Sequence, residues 1–130
     1  MALTKAFKDG VANQLFSGTI LTLFSNYWLS LHTGDPGIDG NLNEVLPGAN
    51  AYLRQAQGTW STSSGGAGAV TSTTDALWTN MPPVTVTHVA VHDLQSGGNA
   101  MCYGALSQAK QVEAGGEFDL KTGDVDFTIT

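Results

Sequence analysis

The stretch VTVTHVAVHDLQSGGNAMCYGAL, Val84–Leu106, decides how this chain folds. Branched apolar residues flank LQSGGN, whose two glycines supply a turn, so the pattern is that of two strands joined as a hairpin. Strict alternation puts Val84 and Val86 on one face and Val89 and Val91 on the other. Either both faces of this strand are buried, or a bulge near Thr87 and His88 shifts its register. Met81-Pro82-Pro83 leads into it in extended geometry, because each proline fixes its own φ and pushes the residue before it out of the helical region.

Outward from this hairpin the same period recurs. YWLSLHT alternates Trp28, Ser30 and His32 on one face with Tyr27, Leu29, Leu31 and Thr33 on the other, in a strand-rich region that begins near Ile20. AYLRQAQ, Ala51–Gln57, is a further candidate, followed by a short run at Trp60. EFDLKTGDVDFTIT closes the chain with two alternating strands separated by Lys121–Asp124; Phe118 and Leu120 share a face, as do Val125, Phe127 and Ile129. Seven to nine short strands follow, the signature of a mainly β, single-domain antiparallel β-sandwich or jelly-roll-like barrel spanning residues 1–130. The N-terminus differs. Leu3, Phe7, Val11 and Leu15 recur every four residues, which predicts a short N-terminal α-helix or arm over 1–18 stopped at Gly18, its stripe docked on the sheet or on a neighbouring subunit. Residues 61–74, STSSGGAGAVTSTT, have small side chains that add little to a core and are expected to form a flexible loop.

Composition narrows function. Eleven acids against five bases give a net charge of −6, and Lys5, Lys8, Arg54, Lys110 and Lys121 are scattered. Such a surface repels a phosphate backbone, so direct nucleic-acid binding is not expected. Cys102 is the only cysteine, which rules out an internal disulfide and a cysteine-rich zinc site. The apolar run after Lys5 and Lys8 is read as neither a signal nor a membrane span, because Asp9, Ser25 and Asn26 interrupt it and no small-x-small cleavage site ends it.

Chemistry finds little purchase. Asp39, Asn41 and Asn43 match three calcium-loop positions, but Glu44 stands where glycine is required and Asn50 where the bidentate acid belongs. Pro36 and Gly37 fit a type II turn instead. His88 and His92 are roughly 13 Å apart along a strand, too far to share a metal, and His32 has no evident acid partner. Neither a P-loop, a dinucleotide fingerprint nor a G-x-S-x-G elbow occurs. Asp35, Asp39, Glu44, Asp93, Glu113, Glu117, Asp119, Asp124 and Asp126 lie at turns or polar strand faces, where solvation is the default. Cys102 is expected to be a small buried hydrophobe and the six Trp and Tyr rings to fill the core. No catalytic, cofactor-binding or metal residue is assigned, and no enzymatic activity is expected.

Certain residues carry a resemblance. Thr33, Asp35, Pro36 and Gly37 form a T-x-DPG turn; Glu44 and Val45 precede a Y-x-R strand at Tyr52 and Arg54; Asp93, Ser96, Gly97 and Gly98 form a D-x-x-SGG turn; Gly123 and Asp124 open the last strand. In this order they resemble a group of small virion proteins of tailed bacteriophages, over nearly the whole chain. The resemblance implies a structural role and transfers no ligand residue. It leads us to expect a capsid decoration or cement protein on the outside of the head, bridging major capsid subunits. The alternative is a tail or tail-fibre adaptor with a receptor- or carbohydrate-binding role. The partners expected are other virion proteins, chiefly the major capsid protein, with a homo-oligomer, trimer or dimer, and neither nucleic acid nor membrane.

Overall fold

The computed structural model describes residues 1–18, 26–46, 52–63, 65–66 and 68–128. Its elements are β1 (Ala2–Leu3), α1 (Lys5–Phe16), β2 (Tyr27–His32), β3 (Gln55–Gln57), β4 (Ala69–Thr71), β5 (Ala76–Met81), β6 (Val84–His92), β7 (Ala100–Val112), β8 (Gly116–Leu120) and β9 (Asp126–Thr128). An antiparallel five-stranded sheet has the order β1-β7-β6-β2-β3, and two ribbons pair β4 with β9 and β5 with β8. Leu29, Leu31, Val89, Val91 and Cys102 from the sheet meet Trp78, Phe118, Leu120 and Phe127 from the ribbons in one apolar cluster. The fold is therefore mainly β, a β-sandwich with a short N-terminal helix.

The hairpin at Val84–Leu106 forms as its pattern predicts, and both explanations for its valines hold. Between Val86 and His88 the partner on β7 jumps from Lys110 to Ala105, a bulge that brings Val86 and Val89 onto the same core. The opposite face is buried as well, at Ala90 and His92. In the turn, Asp93 accepts from the Asn99 N–H at 2.7 Å and returns its own N–H to the Asn99 carbonyl.

Three expectations are corrected. Leu3 belongs to β1, paired with Cys102, because the Thr4 side chain accepts from the Phe7 N–H and caps the helix one residue later. The helix docks on its own sheet only in part: it lies against β7 with Phe7 and Val11 half-buried, but none of its residues is fully buried and Leu15 is exposed. The small-residue stretch is not only a loop, since Ala69–Thr71 pairs with β9 and Trp60 bridges to Ser72. The strands on either side of Lys121–Asp124 do not pair with each other; β8 joins β5 and β9 joins β4, so this turn passes the chain between ribbons. Gly18 takes φ 67 after the helix, as a stop requires. Of AYLRQAQ only Gln55–Gln57 is strand, and Ala51, the expected strand start near Ile20, Ile129 and the Asn50 position lie outside the described residues.

Candidate interaction surface

Ser30 and His32 occupy the face of β2 opposite Leu29 and Leu31, yet they are fully buried. Residues 33–46 fold back over them. Thr33 donates to the Asn43 carbonyl and Val45 to the Leu31 carbonyl, each at 2.9 Å, so the return is hydrogen-bonded to the strand. His32 fastens its middle: Nδ1 donates to the Leu42 carbonyl at 2.6 Å, which leaves Nε2 to accept from the Ser30 hydroxyl at 2.8 Å. Gly37, at φ 75, donates its N–H to Asp35 at 2.8 Å, and Asn43 Nδ2 reaches the Asp35 carbonyl at 2.9 Å. The Asp35–Asn43 stretch is turn chemistry.

Arg54 ties this loop to two others. Its Nε and Nη2 each meet a Glu44 carboxylate oxygen at 2.7 Å, a two-pronged pair that suits the planar guanidinium. Nη1 donates to the Leu94 carbonyl at 2.9 Å and the Gly97 carbonyl at 2.7 Å, in the β6–β7 turn. Tyr52 completes the joint, accepting from the Leu31 N–H at 2.9 Å and donating to Glu44 at 3.1 Å. The Glu44–Val45, Tyr52-x-Arg54 and Asp93–Gly98 motifs, far apart in sequence, therefore converge at one end of the sandwich. Gly123 and Asp124 do not join them; Asp124 accepts from the Lys121 N–H at 2.7 Å in its own turn.

Burial sets the electrostatics. His92 is driven down to about 4 by burial and by the Arg54 charge, while His32 is lowered by burial against the opposing pull of the Leu42 hydrogen bond. The two rings lie nearly parallel, 6.3 Å apart, and neither ring nitrogen of His92 has a hydrogen-bond partner. Burial raises Glu44, but the Arg54 hydrogen bonds outweigh it and hold the carboxyl below its ordinary value. Tyr52 is raised by burial and by the Glu44 charge. Two neutral imidazoles and one compensated ion pair are thus locked beneath the loops.

Other residues weighed in the sequence fall elsewhere. His88 pairs in register with His32, but its Nδ1 contacts the Thr87 hydroxyl at 2.8 Å. Among the described residues no three of His, Cys, Asp and Glu converge as a metal set, and no helix is long and apolar enough to cross a membrane. Cys102 is buried, its thiol pushed up to about 12 by desolvation, as expected of a packing residue. Trp78 and Tyr52 fill the interior, whereas Tyr27 and Trp60 are half-buried and line an apolar groove of about 230 Å³ with Val70, Met101 and Phe127. The linkage of Arg54 to Glu44 was not read from the sequence, although both belong to the recurring motifs.

On its outer side the clamped end is aliphatic. Ile38, Leu42, Leu46, Leu53 and Leu94 are exposed on the three loops that Arg54 joins. Leu46 and Leu53 border a groove of about 170 Å³ floored by Glu44 and Arg54. A family profile described as Podophage GP4 fiber I protein gp80 matches residues 2–128. No curated protein matches the chain.

Proposed function

Because the chain belongs to the podophage GP4 fiber I protein gp80 family and is thus a structural protein of the phage virion, we propose that it is a fibre subunit that works by binding. The family match across residues 2–128 carries this reading. The clamped loop end supports it: a fibre part must hold its contact surface in one geometry, and the Arg54 joint gives three loops a fixed relation. Its partners are other virion proteins, and its role is attachment or adaptation without bond-making chemistry. The half-buried Tyr27 and Trp60 are the rings that a receptor sugar would stack on in that setting.

Mass spectrometry and immunogold labelling of separated heads and tails test the assignment. The protein is expected in the tail fraction. Recovery with heads alone would overturn the fibre role and restore the capsid decoration reading, in which the same surface would bridge major capsid subunits.

A further inference from the structure

His32 and His92 lie on the face of the five-stranded sheet that points away from the apolar cluster, and both are fully buried there. They answer a proton differently. His32 has partners in either charge state: Nδ1 donates to the Leu42 carbonyl, and the Ser30 hydroxyl, 3.4 Å from the Ala90 carbonyl, can turn to donate there while accepting from a protonated Nε2. His92 has none, since neither of its ring nitrogens finds a hydrogen-bond partner among the described residues. An imidazolium at His92 would bury a charge and two N–H donors without compensation, beside the Arg54 charge and with the His32 ring nearly parallel at 6.3 Å.

The way residues 33–46 cover these rings decides where that cost is relieved. Of the described residues in 33–46 only Val45 belongs to the apolar cluster, and the 93–99 turn contributes none. Hydrogen bonds hold both segments: Thr33 and Val45 to backbone carbonyls, the Lys5 N–H to the Ile38 carbonyl at 2.9 Å, and Glu44 and the turn through Arg54. A segment tied mainly by hydrogen bonds opens at lower free energy than a packed core. Lifting it brings His92 to water without separating the two layers of the sandwich. The ionisable groups facing the pair come from each surrounding segment: Arg54 and His88 oppose protonation, Glu44 and Asp93 favour it, and Tyr52 stays neutral at its raised value. At His92, after burial itself, the Arg54 charge outweighs that of Glu44.

We propose that His92 is an acid-sensitive latch: a proton taken up at its ring releases residues 33–46 and the 93–99 turn together, while the sandwich beneath them stays folded. The Arg54 joint, and with it the fixed relation of the three loops, is then lost in acid. The latch is a property of the isolated chain, so its failure would leave the virion assignment untouched.

Hydrogen exchange followed by mass spectrometry on the purified full-length chain, corrected for the intrinsic rate at each pH, is the test. An opening that exposes His92 is favoured about twentyfold more at pH 5 than at pH 7, because the ring titrates at about 4 when closed and at 6.5 once exposed. Residues 33–46 and 93–99 are therefore expected to lose about twentyfold in protection over that interval, through an opening insensitive to low urea. Over the same interval β6 and β8 stay better protected and the far-ultraviolet circular dichroism is unchanged. His92→Met is expected to abolish the loss. In wild type alone, the logarithm of the opening constant should rise by about one per pH unit below pH 6, a reading that needs no variant. Protection that holds level from pH 7 to 5, or that falls as far in His92→Met, would overturn the proposal. Loops that open only together with β6 and β8, at one urea-dependent free energy, would overturn it as well, since acid would then unfold the whole sandwich.

Discussion

Arg54 shows how one side chain can set the shape of a surface. Its guanidinium satisfies both oxygens of Glu44 and two turn carbonyls, and the side chain is almost wholly buried. Arg54→Met should therefore destabilise by about 3 kcal/mol, since it strands a part-buried carboxylate and frees the β6–β7 turn. Denaturant unfolding measures this, and the double variant with Glu44→Gln should cost less than the sum of the singles because the partners act as a unit. Tyr52→Phe removes the acceptor of the buried Leu31 N–H and should cost about 1–3 kcal/mol in the same assay. None of this was legible from periodicity. Tyr52 and Arg54 share one side of an extended run, but Glu44 is ten residues from Arg54 and the two carbonyls about forty, so local pattern could not pair them.

Individual strands were legible because alternation is imposed by burial. β2 and β6 were foreseen as strands from their sequence, and both faces of β2 beyond Leu29 are buried. Partner choice was not legible: a turn such as Lys121–Asp124 specifies a reversal but not which ribbon accepts the next strand, and β9 pairs with β4 from the stretch expected to be a loop. The helix was legible as a helix, whereas how much of its stripe is packed depends on a surface that its own period does not describe. Packing between elements is close where the 33–46 loop meets the helix cap. Gly40 has φ 72, and a methyl there would lie 2.5 Å from the Ala100 Cβ and 3.2 Å from Thr4. Gly40→Ala should cost about 3 kcal/mol through strain and displacement together. Gly65 has φ 63 and open space around its Cβ position, so Gly65→Ala should cost only the backbone share, about 1 kcal/mol. Thermal unfolding of the two variants separates clash from conformation, and equal losses would disprove the close approach.

Taken whole, the molecule is a sandwich whose second sheet face is roofed by loops over two uncharged imidazoles, and this arrangement makes it sensitive to acid. His92 titrates at about 4 when folded against 6.5 when free, and His32 is lowered too. The unfolded chain thus takes up these protons more readily, so stability is complete above pH 6.5 and falls as the pH drops toward 4. His92 alone accounts for about 3 kcal/mol over that window, with His32 adding in the same direction. Glu44 extends the loss below its ordinary value of 4.5, because the folded carboxyl must be protonated away from Arg54. The charged groups around the imidazoles offset one another only in part: Arg54 from its loop and His88 from β6 oppose protonation, while Glu44 and Asp93 favour it. Unfolding free energies measured from pH 8 to 4 should decline steadily below 6.5, and His92→Met should flatten that decline. A wild-type profile level down to pH 4.5, or an equally steep one in His92→Met, would mean that these rings are reached by water and that the loops do not roof the sheet as described.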